Sequence, residues 1–230
     1  MRTALLVCDH VPDNLKEKHG DYPTMYGNLF PDLDLEPHYV CDDHFPALKD
    51  FDLFIITGSR FSVYDTESWI LQLMELIRGI DQAGKKCIGI CFGHQIIAEA
   101  LGGKVSKAST GYLIGVHTFK IDREITWTKE QRTEFNVLML CQDQVVRLPA
   151  AGIILASNAL CPVGMYHVKD QFFAIQGHPE FSKSFDKDVF LSRKEKMGEE
   201  KIARALASFD REPDKRWLSD IMMRFVTWQW

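Results

Sequence analysis

The sequence predicts an α/β protein built as a three-layer sandwich, with a mostly parallel central sheet, flanking helices and a smaller antiparallel or mixed β portion. Three observations lead to this prediction. In the first half of the chain, continuous apolar runs alternate with segments of helical spacing. Between Leu113 and Gln176, short β-like runs follow one another with little helical spacing. Helical spacing then returns near the C-terminus.

Three apolar runs in the first half suit strands that are buried on both faces, as parallel strands are. They are Ala4–Cys8, Leu53–Thr57 and Lys86–Cys91. Between the last two lies the clearest helix, Ser68–Gln82, in which apolar residues recur at three- and four-residue steps. Gly84 is placed to end this helix. The alternation of strands and helix predicts a parallel sheet.

The next elements are shorter. The spacing predicts a helix over Phe92–Leu101, stopped by Gly102 and Gly103, and then an edge strand over Lys104–Ser106. By contrast, Tyr22–Pro37 carries three prolines and a glycine, so we expect a loop there, or a loop around a short helix. Long loops in compact domains often line active sites.

The β-like runs of the second half predict antiparallel or mixed pairing. They cover Val116–Ile121, Val137–Leu140, Ile153–Ser157, Val163–Val168 and Phe172–Ile175. Two helices are predicted after them, over about Phe185–Phe209 and Asp214–Val226. We expect the apolar residues at the C-terminus to cap the core, with contact to a partner as the alternative. These residues are Phe225, Val226, Trp228 and Trp230.

Composition limits the classes of protein that the chain fits. With 230 residues, 46% of them hydrophobic, it can fill one α/β core, and we expect a single domain over residues 1–230. The formal net charge of −5, without a clustered basic face, argues against a nucleic-acid partner. No run approaches the roughly 18 apolar residues of a membrane span, so we expect no membrane partner either.

The cysteines are spread over several predicted strands. They lack the close pairing of a zinc site and the density of a secreted disulfide scaffold, and the histidines form no metal motif by their spacing. We therefore expect free thiols, no metal and a cytoplasmic, reducing location. The six cysteines are Cys8, Cys41, Cys87, Cys91, Cys141 and Cys161.

Cys91 is the candidate nucleophile. It lies between Gly89 and Gly93, where a buried strand runs into a helix, and this Gly-x-Cys-x-Gly pattern is typical of a nucleophile elbow. A helix N-terminus favours the reactive thiolate, and its free N–H groups can bind an oxyanion. The alternative is a buried core cysteine, but the two glycines have no purpose in an ordinary core strand.

A second motif, His178-Pro179-Glu180, follows the last predicted strand. The residue before a proline is biased towards extended geometry, so His178 and Glu180 can point to the same side and form an imidazole–carboxylate hydrogen bond. Alone at a strand end, the motif would more often be a simple turn. Together with Cys91 it predicts a catalytic triad in which His178 transfers protons and Glu180 orients it.

These motifs resemble those of the class I (triad-type) glutamine amidotransferases. Gly89-Ile-Cys-Phe-Gly-His-Gln95 resembles the nucleophile motif of the family, and Gly177-His-Pro-Glu180 its acid–base motif. Thr57-Gly58-Ser59-Arg60 matches its oxyanion loop in position. The resemblance covers nearly the whole chain and implies a flavodoxin-like core.

The resemblance also implies roles for individual groups. The backbone N–H groups of Phe92 and of Gly58 or Ser59 would bind the oxyanion, and Gln95 would help to hold the glutamyl group. No metal or organic cofactor is implied. One departure lies in the oxyanion loop, where the family usually has a second glycine in place of Ser59.

The other departure lies in Leu140-Cys141-Gln142-Asp143, since the family commonly has Ser-His at the first two positions. In the family, backbone groups of this stretch contact the substrate, so we expect the protein to be active with an altered specificity. We also expect Cys141 and Gln142 to contact the substrate. Cys141 lacks an elbow and is interpreted as a core or pocket-wall cysteine.

The implied function is cysteine-dependent hydrolysis of the γ-glutamyl amide of glutamine or γ-glutamyl peptides, through a γ-glutamyl thioester. The chain leaves no room for a synthetase domain and is similar to stand-alone γ-glutamyl peptidases and GMP-synthase-like proteins. An open pocket beside Cys91, lined by Tyr26, Gly27 and their neighbours, would admit a larger leaving group. The alternatives are a glutaminase subunit that delivers ammonia to a separate synthetase chain and a non-catalytic binding module.

Overall fold

The computed structural model describes residues 1–228, so the expectation for Trp230 lies outside the described residues. The strands are β1 (Thr3–Val7), β2 (Leu35–Tyr39), β3 (Leu53–Ile56), β4 (Lys86–Ile90), β5 (Lys104–Lys107), β6 (Leu113–Ile121), β7 (Glu134–Cys141), β8 (Asp143–Arg147), β9 (Gly152–Asn158), β10 (Cys161–Val168) and β11 (Phe172–Ile175). Nine of them form one sheet in the order β2-β1-β3-β4-β11-β10-β9-β6-β7, and β5 pairs with β8 separately.

The large sheet has two halves. From β2 to β11 all neighbouring strands are parallel, and from β11 to β7 all neighbours are antiparallel. The antiparallel portion predicted for the second half of the chain is therefore continuous with the parallel sheet. This confirms the predicted class, an α/β fold with a large central sheet.

Helices cover both faces of the parallel half. They are α1 (Asp13–His19), α2 (Tyr22–Leu29), α3 (Ser68–Gln82), α4 (Phe92–Ala100), α5 (Lys183–Ser192), α6 (Lys194–Met197), α7 (Glu199–Ala207) and α8 (Lys215–Thr227). Alternate residues of each buried strand belong to two apolar clusters, one shared with α2 and α8 and the other with α3 and α4. The result is three layers. None of the helices within residues 1–228 is long and apolar enough to cross a membrane.

The segment Tyr22–Pro37, predicted as a loop or as a loop around a short helix, contains a helix and the start of a strand. Its first half is α2, because Asp21 accepts a hydrogen bond from the N–H of Thr24 and Pro23 occupies the first turn, where its missing N–H costs nothing. Its end begins β2, which is an edge strand and can therefore contain Pro37. The sequence analysis missed this strand.

Two further elements differ from the sequence prediction. The single helix predicted over Phe185–Phe209 is three helices, and Gly198, with φ of 84°, separates the last two. The strand β8 was not predicted, and it pairs with β5 outside the large sheet. The helices α3, α4 and α8 lie within a residue or two of their predicted bounds.

Candidate active site

Three parallel strands bring the predicted catalytic residues together. In the sheet, β3, β4 and β11 are neighbours, and their register aligns Ile56 with Gly89 and Ile90 with Ile175. Their C-terminal ends therefore meet at one edge, where ligands bind in open α/β sheets. The segments that follow carry Gly58, Cys91 and His178.

Cys91 is the turn between β4 and α4. Its φ of 54° and ψ of −99° are rare for a residue with a side chain, and only 5% of it is exposed. The flanking glycines permit this turn, because a Cβ atom at Gly89 would lie 2.5 Å from the carbonyl oxygen of Gly93. A Cβ atom at Gly93 would lie 2.4 Å from the carbonyl oxygen of Ile56. The strand-to-helix turn predicted around Cys91 is present.

The turn is also tied to the neighbouring strand. The N–H of Cys91 donates a hydrogen bond of 2.9 Å to the carbonyl oxygen of Ile175, the last residue of β11. His178 follows three residues later, and its own N–H donates to the carbonyl oxygen of Leu138 at 2.8 Å. Backbone hydrogen bonds thus fix both the thiol segment and the imidazole segment.

His178 and Glu180 form the predicted pair. The Nδ1 atom of His178 lies 2.7 Å from Oε1 of Glu180, and both side chains are buried. The ring of Phe181 stacks on the imidazole with a centroid distance of 4.1 Å and an interplanar angle of 6°. The carboxylate and the phenyl ring together hold the imidazole in one orientation.

The pKa of His178 is raised well above its ordinary value. Burial acts in the opposite direction, but the charges of Cys91 and Glu180 and the hydrogen bond to Glu180 outweigh it. The Nε2 atom has no hydrogen-bond partner of standard geometry among the described residues. His178 is therefore close enough to Cys91 for their charges to interact, although Nε2 and the thiol do not form a hydrogen bond of standard geometry.

Gly58 lies between the two reactive side chains. A Cβ atom at this position would be 2.9 Å from Cε1 of His178 and 3.7 Å from Cβ of Cys91. The loop is fastened to the end of β1, because the Ser59 hydroxyl donates to the carbonyl oxygen of Cys8 and the buried Asp9 accepts from Arg60. Only a glycine fits at position 58 without moving the imidazole.

In the described part of the chain, backbone N–H groups without partners lie next to Gly58 and Cys91. Within residues 1–228, no acceptor takes a hydrogen bond from the N–H of Gly58 or of Ser59. Phe92 is the first residue of α4, and the first N–H groups of a helix have no partner inside it. The predicted oxyanion donors thus lie on the Gly58 loop and at the first turn of α4, both next to Cys91.

A cavity of about 90 Å³ opens beside Cys91. Of the predicted substrate-contact residues, it is lined by Gln95, Cys141 and Gln142, and Ser59 also lines it. The amide nitrogen of Gln95 donates to the carbonyl oxygen of Asp143 at 2.8 Å and to Oε1 of Gln176 at 3.1 Å. The protein uses both donors of Gln95, which leaves its oxygen for a ligand.

The structure does not bring Tyr26 or Gly27 to this cavity. Both lie in α2, where Tyr26 is fully buried in the core and Gly27 has open space around its Cα atom. Neither is among the residues that line the cavity. Substrate contacts were expected from these residues because an irregular segment was predicted here. The helix α2 instead turns Tyr26 into the core.

Two charged residues of the cavity were missed by the sequence analysis. Arg193, at the end of α5, lines it and forms no ion pair with a carboxylate among the described residues. Asp143 lines it too, and its carboxylate accepts hydrogen bonds from Ser62 and Tyr64. Asp143 belongs to the stretch that resembles the family, whereas no local pattern indicated Arg193.

Cys141 shares the cavity with Cys91. Burial raises the pKa of Cys141 well above its ordinary value, and the nearby charge of Cys91 adds to the effect. Its thiol is therefore held neutral, which agrees with the interpretation as a wall residue. All six cysteines are free thiols.

Among residues 1–228, one group of side chains could hold a metal ion. Ligand atoms of His10, Cys41 and Asp42 lie within 4.8 Å of one another, and His10 and Asp42 are exposed. None of the three lines the cavity beside Cys91.

Comparisons with known proteins agree with this arrangement. The family model of glutamine amidotransferase class-I matches residues 33–196. The chain is 34% identical to gamma-glutamyl peptidase 4 of Arabidopsis thaliana over 76% of this chain and 73% of that protein. It is 30% identical to gamma-glutamyl peptidase 2 of the same plant, over 98% and 95%.

The fold has solved counterparts. A crystal structure of a glutamine amidotransferase from Thermotoga maritima superposes with a TM-score of 0.76 at 17% identity, covering 98% of this chain and 96% of that one. The strand order, the turn at Cys91 and the family match lead to one conclusion: the chain belongs to the class-I glutamine amidotransferase family.

Proposed function

We propose that the protein is a free-standing cysteine hydrolase that cleaves the γ-glutamyl amide bond of glutamine or of γ-glutamyl peptides. The observation that carries the proposal is the meeting of Cys91, in its strained turn, with the buried His178–Glu180 pair on one side and the Gly58 loop on the other. The peptidase names of its relatives support the same reaction.

The reaction begins with the thiolate of Cys91. It attacks the γ-carbonyl carbon, and the carbonyl oxygen takes the negative charge, which the N–H groups of Phe92 and of Gly58 or Ser59 stabilise. The raised pKa of His178 keeps its imidazole charged beside the thiolate. His178 then gives its proton to the leaving nitrogen, and the C–N bond breaks to leave a γ-glutamyl thioester on Cys91.

Water completes the cycle. The neutral imidazole of His178 takes a proton from water, which attacks the thioester, and glutamate leaves as the Cys91 thiolate is restored. Glu180 accepts from Nδ1 throughout, so Nε2 is the atom that exchanges the proton. Phe181, stacked on the ring, excludes water from that face of the imidazole.

The cavity also suits the head group of the substrate. A γ-glutamyl group ends in an α-carboxylate and an α-ammonium, and the cavity presents the unpaired cation of Arg193 and the carboxylate of Asp143. The free oxygen of Gln95 is a further acceptor for the ammonium. Arg60 also lines the cavity but pairs with Asp9, which leaves one group of each sign for a ligand and favours a zwitterion over an uncharged amide.

The free state of all six cysteines is consistent with work in a reducing compartment such as the cytoplasm. Cys91 requires a reducing compartment, because oxidants would convert its thiolate to a form that is not nucleophilic.

The test is release of glutamate by the purified chain alone from glutamine, glutathione and γ-glutamyl dipeptides. We expect turnover of at least one of them, and a loss of at least about 10³-fold in kcat/KM for Cys91→Ala. The matched control is Cys41→Ser, which alters a half-buried thiol outside the cavity. Turnover of none of these compounds contradicts the proposal and favours a glutaminase subunit that requires a synthetase partner.

A further inference from the structure

A second cavity begins beside the catalytic one. It is a groove of about 410 Å³ between the start of β6, the β9–β10 turn at Leu160 and helix α7. Tyr112 lines both the groove and the cavity at Cys91. The two spaces therefore share one wall.

The groove is positively charged, although the whole chain carries a formal net charge of −5. Lys201, Arg204 and Arg211 line it, and none of the described residues lining it is Asp or Glu. Lys201 and Arg211 donate to neutral carbonyl and hydroxyl oxygens, so these bonds leave their charges uncompensated. Arg204 faces one carboxylate, that of the exposed Glu200 at 3.5 Å.

Lys201 places its charge where the two spaces meet. Its Nζ atom donates to the carbonyl oxygens of Thr110 and Tyr112, at 3.1 and 2.9 Å. The Tyr112 bond ties Lys201 to the residue that lines both spaces.

The floor of the groove is apolar. It is formed by side chains of β6, the β9–β10 turn and α7, namely Leu113, Ile114, Val116, Leu160 and Ala205. A ligand that fits combines apolar surface with a negative charge. A short peptide with a free C-terminal carboxylate has both, and the volume lies within the range of roughly 300–1,000 Å³ for ligand pockets.

The distance from the thiol suits such a peptide. Sγ of Cys91 lies 3.9 Å from the carbonyl oxygen of Leu140, and Leu140 pairs with Ile114, which lines the groove. Opposite residues of antiparallel strands are about 5 Å apart, so the groove begins within about 10 Å of Sγ. Two extended residues span about 7 Å, which carries a dipeptide from the cleaved bond into the groove.

The size of the catalytic cavity leads to the same arrangement. Its volume of about 90 Å³ is small beside the 410 Å³ of the groove. A leaving group larger than ammonia would extend beyond the catalytic cavity, and the groove is the adjoining space.

We propose that this groove is a leaving-group subsite that binds the terminal carboxylate of a γ-glutamyl peptide, with Lys201, Arg204 and Arg211 as its specificity determinants. The inference rests on the proposed function. It means that γ-glutamyl peptides whose leaving group carries a carboxylate are preferred over glutamine as substrates.

The test compares two forms of one substrate, in which a γ-glutamyl group is joined to a dipeptide leaving group. One form has a free C-terminal carboxylate, and the other is its C-terminal amide. The kcat/KM of the full chain should be about five- to tenfold higher for the free acid, because exposed charge pairs are individually weak and two or three act together. The difference should lie in KM and shrink as the salt concentration rises.

Two variants locate the effect. Arg204→Gln and Lys201→Gln should each bring the ratio of the two kcat/KM values towards one, whereas Arg216→Gln, an exposed helical arginine outside the groove, should retain the ratio. Circular dichroism checks that each variant is folded.

The outcomes separate this inference from the function on which it rests. Equal kcat/KM for acid and amide, or a ratio unchanged in both variants, overturns the subsite and leaves the hydrolase proposal standing. No cleavage of either form or of glutamine overturns the proposed function, and the subsite with it.

Discussion

The two halves of the large sheet contribute to the site in different ways. The parallel half supplies the proposed reacting groups and positions them by main chain, since Gly58, Cys91 and His178 each follow the end of a parallel strand. The antiparallel half and the C-terminal helices supply walls built of side chains, such as Cys141 and Arg193. Chemistry depends on strand register, and specificity depends on which side chains the second half presents.

This difference has a physical basis. Close contacts at Gly89 and Gly93 are between backbone atoms, which cannot move aside, so the catalytic edge tolerates no added atom. The wall contacts involve side chains that can adopt other rotamers. Substitutions that add atoms at the ends of the parallel strands should therefore abolish activity, whereas substitutions of the wall side chains should alter substrate preference.

The largest expected effect comes from a methyl group at the elbow. In Gly93→Ala the new Cβ atom would lie 2.4 Å from the carbonyl oxygen of Ile56, so we expect a loss of about 3 kcal/mol in the free energy of unfolding and no measurable glutamate release. Urea denaturation and the hydrolase assay measure the two losses.

Gly27→Ala is the matched control. Gly27 lies inside α2 with no atom within 4 Å of its would-be Cβ, so alanine should stabilise the protein by about 0.5–1 kcal/mol. A Gly93→Ala protein as stable and active as the wild type would show that the elbow does not need its close backbone contact.

A smaller loss follows from removing the orienting charge. Glu180→Gln keeps the shape of the side chain but deletes one of the charges that raise the pKa of His178, so kcat/KM should fall by about 10²–10⁴-fold. Because the raised pKa keeps the imidazole charged to higher pH, the alkaline limb of the profile should move to lower pH in the variant. Rates between pH 5 and 10 measure this shift.

Exposed Glu75, whose one ion pair with a described residue is to Arg78 across one helical turn, provides the control variant Glu75→Gln. Its pH profile should match that of the wild type. A Glu180→Gln enzyme whose rate falls without any movement of the alkaline limb would contradict the electrostatic coupling between Glu180 and His178.

The smallest effect concerns stability in α5. Asp186 is fully buried, both its carboxylate oxygens lack hydrogen-bond partners among the described residues, and burial raises its pKa despite the opposing charge of His178. Its destabilising effect is absent below the unfolded pKa of about 3.9 and grows as pH rises towards the folded value. Asp186→Asn should therefore gain about 1–3 kcal/mol over the wild type between pH 4 and pH 8.

Asp188 lies two residues further along the same helix and is the control of opposite sign. Hydrogen bonds from Lys18 and His19 lower its pKa, so its stabilising effect is present at neutral pH and lost as pH falls through the folded value. Asp188→Asn should therefore be less stable than the wild type at pH 8, and this difference should shrink at acid pH. Urea unfolding at both pH values measures both variants, and equal pH dependence in the two would refute the assignment for Asp186.

The difference between the halves also explains what the sequence reveals. The residues around Cys91 and His178 could be predicted because their geometry is local: glycines at fixed spacing permit the turn, and a proline extends the histidine segment. The buried parallel strands were visible for the same reason, as apolar runs of consecutive residues. Membership of the family followed from these local motifs.

The remaining features depend on pairing between distant segments. The strand β2 was missed because an edge strand with exposed side chains and a proline has no apolar run. Arg193 and the groove at Lys201 arise where helices α5 and α7 pack beside β6 and β7, and no spacing along the chain reports that contact. Tyr26 was expected at the substrate because the prolines and Gly27 indicated an irregular segment there, whereas α2 turns Tyr26 into the core.

The hydrogen bond from Cys91 to Ile175 has one further consequence. This bond continues the pairing of β4 with β11 by one residue, so the sheet itself sets the distance between the proposed nucleophile and base before any substrate binds. The site is then active only while the ends of these two strands stay paired. An enzyme of this design loses function when its sheet frays at one edge, well before the whole chain unfolds.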